Sequence, residues 1–251
     1  SYKSKFMSKF SLPTETVELP SKGLLYPESS PLKKGTIEMK YMTAREEDIL
    51  TNNNYIQDGT ALDKSIQSLI VDKAVNYDEL LVGDKNALMI AARILAYGKE
   101  YPIFYDGKTV NIDLSLLENT EIDEELFKNG NNIEYKLPNT DNVVTIKLLS
   151  HADQTAIDAE VEGKKKIEPN SDYSNSTRLK HIITSVNGDK ENATIRDFVD
   201  NGLTARDGRW LRSTYADIQP DVKLTHQPDG PGSEEVPIPI GIGFFYPSLP
   251  L

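Results

Sequence analysis

Between Gly83 and Gly98 the chain carries a segment that can settle in only one kind of place. Residues 87–97 read ALMIAARILAY. Ala87, Leu88, Met89, Ile90, Ala91, Ala92, Ile94 and Leu95 leave a helix there with almost no polar face. Such a helix must be covered all round, so it is expected at the centre of a domain. Asp84 is placed to cap its N-terminus and Gly98 to end it. Arg93 is the one charge inside it. It is expected either to pair with a carboxylate or to run its aliphatic stem out to solvent.

A buried helix needs amphipathic neighbours, and the preceding segments supply them. Residues 36–42, TIEMKYM, alternate apolar and polar side chains and predict a half-buried strand. Thr43 and Glu46 have the spacing of a capping box, predicting a short helix through Leu50. Asn52, Asn53 and Asn54 read as a polar break. Leu62, Ile66, Leu69 and Ile70 then form a one-sided helical stripe. Residues 17–35 hold several proline and glycine breaks and read as irregular extended chain. Residues 1–16 read as an arm in which Lys3, Lys5 and Lys9 alternate with Phe6, Met7 and Phe10. That arm is either a frayed terminus or a segment that orders on a partner.

Beyond Tyr101 the pattern changes. Asp106-Gly107 between two apolar runs predicts a hairpin, and residues 133–137 and 143–149 predict another, joined by PNTDN. A short helical turn is expected near 122–127. From His151 the chain reads as helical again over 151–162, followed by Lys164, Lys165 and Lys166 and a polar loop. Leu179, Ile182, Ile183 and Val186 fall at helical spacing. Thr194 and Thr204 each precede an aspartate by three residues and are expected to cap helices over 195–201 and 205–217. A strand over 222–224 and a flexible DGPGSEE loop follow. The fold class is therefore α+β, with helical N-terminal and C-terminal parts around a small β-rich middle. Its parts are 1–16, 17–100, 101–150, 151–235 and 236–251.

The residues point away from catalysis. No G-x-S-x-G elbow, Walker loop or H-E-x-x-H is present, and Gly241-Ile-Gly243 lies among prolines, outside any strand–helix context. His151, His181 and His226 stand far apart and read as surface or cap residues. With no cysteine, the chain has no disulfide, thiolate nucleophile or cysteine zinc site. No metal, no cofactor and no catalytic residue is expected. Glu46-Glu47-Asp48 and the acids of 121–125 lack the pattern of a calcium loop and read as solvated charge near helix starts. The lysine run reads as a solvated helix end, with phosphate binding as its sharper alternative. A net charge of -11 disfavours phosphate-backbone binding, so nucleic acid is not an expected partner. No apolar run approaches the length of a membrane span, and the first residues lack a signal-peptide core, so a soluble cytoplasmic protein is expected.

The unusual feature is the tail, VPIPIGIGFFYPSLPL. It either folds back on its own core or docks, extended, on a neighbouring subunit. Pro237, Pro239, Pro247 and Pro250 disfavour a central strand, and the loop before them provides reach. The expected interface residues are therefore Phe244, Phe245, Tyr246 and Leu249 in the tail, with Phe6 and Phe10 in the arm.

LPSKGLLYP, MTAREEDIL, residues 59–63 (GTALD), residues 81–84 (LVGD) and residues 93–98 (RILAYG) together resemble the T4-type bacteriophage baseplate protein family, described as hub subunits or hub assembly chaperones. YKLPNTDNVVTIKLLSHADQ and IPIGIGFFYPSL extend the likeness over most of the chain in short pieces. The resemblance implies a non-enzymatic structural or assembly role in the tail baseplate hub. Its expected partners are other baseplate and hub proteins, or further copies of itself. It implies the host cytoplasm during assembly, and the virion if the chain is retained; the alternative is a transient chaperone that leaves. Some relatives carry cysteine pairs suggestive of a zinc ribbon, and this sequence has none. Two rivals stand outside the resemblance: a nucleic-acid-associated protein using the basic arm and lysine run, and a hydrolase with an unusual carboxylate pair.

Overall fold

Strand β1 (Thr14–Glu18) pairs antiparallel with β2 (Thr36–Lys40) in the computed structural model, which describes residues 10–245. β1 thus begins inside the stretch expected to be an arm. β2 turns Ile37 and Met39 inward, as the alternation predicts. The loop between the strands is closed by the Leu19 amide donating to the Gly35 carbonyl at 2.9 Å.

The capping box opens α1 (Ala44–Leu50). The Thr43 amide donates to the Glu46 carboxylate at 2.9 Å and the Thr43 hydroxyl to the same oxygen at 3.0 Å. The asparagine run is not a break. Asn52 caps α2 (Asn53–Gln57), its side-chain oxygen accepting from the Asn54 and Tyr55 amides at 3.0 and 3.2 Å. In α3 (Ala61–Leu69) the stripe buries Ile66 and Leu69, while Ile70 lies beyond the helix end and bridges to Met39.

Helix α4 (Val82–Tyr97) is the central element, ending at Gly98 as expected. It starts earlier than the apolar run, with Leu81 as the N-cap and Asp84 inside the first turn. Gly83 is required there, because a Cβ would sit 1.8 Å from the Pro220 carbonyl oxygen. Leu88 is fully enclosed, whereas Ile94 is only partly buried. Leu88→Asp should therefore cost more than about 4 kcal/mol, the scale of burying an unpaired charge. Ile94→Asp should cost clearly less, since its carboxylate can reach water. Urea denaturation of both variants checks the ranking, and equal losses would contradict it.

Strands β3 (Glu100–Tyr105) and β4 (Lys108–Asp113) form the first predicted hairpin. Asp106 and Gly107 both have positive φ, 49° and 73°, the pair of values a tight primed turn requires. A short 3-10 turn, Glu124–Phe127, precedes the second hairpin of β5 (Ile133–Lys136) and β6 (Val143–Ile146). Next come α5 (His151–Ile167) and α6 (Ser174–Ile182). Residues 183 and 186 do not continue that helix: β7 (Ile183–Val186) completes an antiparallel sheet in the order β5-β6-β7. The free edge of β6 recruits a segment rich in β-branched residues, and this tertiary demand overrides helical spacing.

Thr204 caps α8 (Ala205–Ile218) as expected. Thr194 instead sits inside α7 (Asn192–Asp197), its hydroxyl donating to Asp189 at 2.8 Å, and a π turn over Phe198–Gly202 follows. Residue 222 makes only an isolated bridge to Asn119; the short strands are β8 (Thr225–His226) and β9 (Val236–Pro237). A helical turn, α9 (Ile242–Phe245), closes the described residues. The class is α+β, with small antiparallel sheets set among the helices. One hydrophobic core runs from Leu19 to Phe245 among the described residues. No helix among the described residues is long and apolar enough to cross a membrane.

Candidate functional site

Buried charge marks where a fold has spent binding energy, and each such group here joins distant segments of this chain. Asp84 is fully enclosed. Its carboxylate accepts from the Ser21 amide at 2.9 Å, the Ser21 hydroxyl at 2.6 Å and the Tyr26 hydroxyl at 2.6 Å. It is not the expected cap; it staples the loop after β1 to the first turn of α4. Burial raises its pKa above the usual carboxylate value, opposed by the donors on Ser21 and Tyr26.

Glu46 is enclosed too, so the acidic triplet is not simply solvated charge. Besides closing the capping box, it accepts from the Ser68 hydroxyl of α3 at 2.8 Å. Burial pushes its pKa up, but the Thr43 and Ser68 donors prevail and hold it below the ordinary value. Half-buried Glu160 on α5 accepts from both terminal Arg196 nitrogens at 2.6 and 3.3 Å, with Lys164 at 3.3 Å. Arg196 foremost pulls the Glu160 pKa down to about 2. Lys164 is thereby engaged at the helix end.

Arg93 follows neither expected course. It is 2% exposed, and among the described residues no carboxylate pairs with it. Its terminal nitrogens donate to the Gly98 and Glu100 carbonyls at 3.1 and 3.3 Å. Its guanidinium lies 5.2 Å from the Tyr97 ring centre, 5.6 Å from Tyr101 and 6.0 Å from Phe244. The physical reason is planarity: a guanidinium can bond in its plane and stack on its faces, so aromatic rings replace an anion. Burial lowers its pKa.

The aromatic cage decides the fate of the tail. Phe244 is 1% exposed and Phe245 0%, with Phe244 edge-on to Tyr101 at 4.8 Å and to Phe245 at 5.4 Å. The expectation that these two form an outward interface is therefore corrected: they complete this chain's own core. Pro237 can sit in β9, and the Gly241 carbonyl starts a helical turn by accepting from the Phe244 amide at 3.0 Å. Prolines did not force the whole tail to stay extended. Phe6, Tyr246 and Leu249 lie outside the described residues. Phe10 is 84% exposed.

The sequence reading missed the outer face of the first hairpin. Phe104 is 78% exposed on β3, and Leu116, just beyond β4, is 74% exposed. Leu116 stands on the rim of an open groove of about 550 Å³ between that hairpin region and the chain from 223 to 235. The signal was available: Tyr101, Ile103 and Tyr105 alternate with Phe104, so an inward face for the first set points Phe104 outward. Among the described residues no group of three or more histidine, aspartate or glutamate side chains is placed to hold a metal ion.

No protein-family model, curated protein or solved structure matches this chain.

Proposed function

We propose that this chain is a structural or assembly component of a contractile phage tail baseplate hub, acting by binding and not by catalysis. The observation that carries the reading is how side chains are used. Asp84, Glu46, Arg93 and Asp207, the buried charges that a catalytic site could recruit, are engaged in internal joints. Large apolar side chains stand in water at the same time: Phe104, Leu116 and Ile167. Exposed aromatic and aliphatic anchors are what a protein–protein interface uses. In this reading the assembly is named by the resemblance of LPSKGLLYP and MTAREEDIL to the T4-type baseplate family.

The test has two arms. Mass spectrometry of purified particles and of assembly intermediates asks whether the chain is present and whether it is retained. Presence in particles makes it a hub component, and presence only in intermediates makes it a transient chaperone. Absence from both defeats the proposal. In the second arm, the double variant Phe104→Asp, Leu116→Asp should melt like the parent chain and lose co-purification with the hub. Both sites are exposed, so folding should be little affected.

A further inference from the structure

Three helices begin at one point on the wall of a cleft of about 730 Å³. Asp63 lies in the first turn of α3, Lys85 is the fourth residue of α4, and His151 is the first residue of α5. The Lys85 ammonium stands 3.0 Å from His151 Nδ1 and 3.2 Å from Asp63 Oδ1. The Tyr77 hydroxyl donates to the same Asp63 oxygen at 2.6 Å, and its ring meets the His151 ring edge-on at 4.8 Å. An ammonium carries only donors, so its close partner Nδ1 must offer a lone pair. The geometry therefore assigns a neutral ring with its proton on Nε2.

We propose that Asp63, Lys85 and His151 form an acid-sensitive latch that ties the starts of α3, α4 and α5 together. Neutral His151 accepts from Lys85. Once protonated, the ring places a second cation 3.0 Å from the ammonium, and the hydrogen bond becomes a repulsion. Main-chain bonds at the same junction share the strain: the His151 amide donates to the Leu80 carbonyl at 2.7 Å and the Val82 amide to the Leu149 carbonyl at 3.1 Å.

The charged groups facing the ring divide. Asp63 on α3, Asp78 beside Tyr77 and Asp158 on α5 favour the protonated form. Lys85 on α4 opposes it, and the cleft is further lined by Asp58, Lys64 and Glu162. Asp63 is already engaged by Tyr77 and Lys85. The α5 start, where the ring sits, is also the positive end of a helix dipole, which disfavours added positive charge. Burial first, and Lys85 second, lower the ring's pKa from the ordinary histidine value. The sign follows. An unfolded chain takes up this proton near pH ~6.5, the folded one only at lower pH, so in between the unfolded state binds more protons. The latch contributes fully above that value, and its contribution is lost as pH falls through the window down to the folded pKa.

The experiment combines ring titration by NMR with chemical denaturation at about pH 7.5 and about pH 5. In the parent chain His151 should titrate below ~6.5, and Lys85→Met should move its titration upward. Relative to His151→Gln, the parent's unfolding constant should rise on acidification by about tenfold for each unit of displacement. If His151→Gln does not fold, the Lys85→Met titration decides alone. A ring titrating at or above the ordinary histidine value, or one unmoved by Lys85→Met, overturns the latch.

Discussion

Truncation after Gly232 should leave a chain that unfolds or aggregates. The cut removes Ile238, Phe244 and Phe245 from the core, together with the β8–β9 pairing. A buried phenylalanine reduced to alanine typically costs about 3–5 kcal/mol, so loss of both rings and an isoleucine rivals the whole stability of an ordinary domain. Arg93 adds to the damage. Without Phe244 its guanidinium keeps two carbonyls and two tyrosine rings but faces an open wall. Phe244→Ala alone should lower stability by about 3–5 kcal/mol, whereas Phe244→Leu, which refills most of the volume, should cost less. Urea denaturation and sedimentation of the three variants provide the check. A truncated chain that keeps the parent's sedimentation behaviour and melts within about 1 kcal/mol of the parent would show that the aromatic pair is not part of the core.

Asp84→Ala should be the most damaging single replacement of a polar residue. It strands the Ser21 amide, the Ser21 hydroxyl and the Tyr26 hydroxyl in a dry interior. Each orphaned donor costs about 1–3 kcal/mol, so a loss of roughly 3–9 kcal/mol is expected. Asp84→Asn keeps one acceptor and should lose about half as much. Because these groups touch, the effects should not add. Tyr26→Phe should cost less in the Asp84→Ala background than in the parent, with a coupling of at least ~1 kcal/mol in a double-mutant cycle. The residual cost arises because the Tyr26 hydroxyl also accepts from the Leu81 amide at 2.9 Å. Strict additivity, or an Asp84→Ala variant as stable as the parent, would mean that the carboxylate does not hold the loop.

Where local rules act alone, the sequence was readable. The capping box at Thr43 and Glu46, the Asp106-Gly107 turn, the Gly98 stop and the Thr204 cap each depend on residues within a few positions of one another. The apolar girth of α4 announced its central place, because a helix without a polar face has nowhere else to go. What could not be read depended on partners far along the chain. Residues 183 and 186 keep helical spacing with Leu179 and Ile182, yet they form a strand because β6 lay open beside them. Asp84 has a cap's spacing, yet it binds a loop some sixty positions earlier.

The sequence by itself determined the locally capped helices and the tight turn, the buried helix and the α+β class, since periodicity, turn chemistry and capping are short-range physics. Only the tertiary structure decided where the charges and the tail go. The Asp63–Lys85–His151 cluster joins three segments with no mutual signal in sequence. Phe244 and Phe245 could satisfy the hydrophobic effect against a partner or against their own chain, because burial of apolar area is non-directional. Arg93, held by two carbonyls and three aromatic rings, including that of Phe244, marks the choice this chain made.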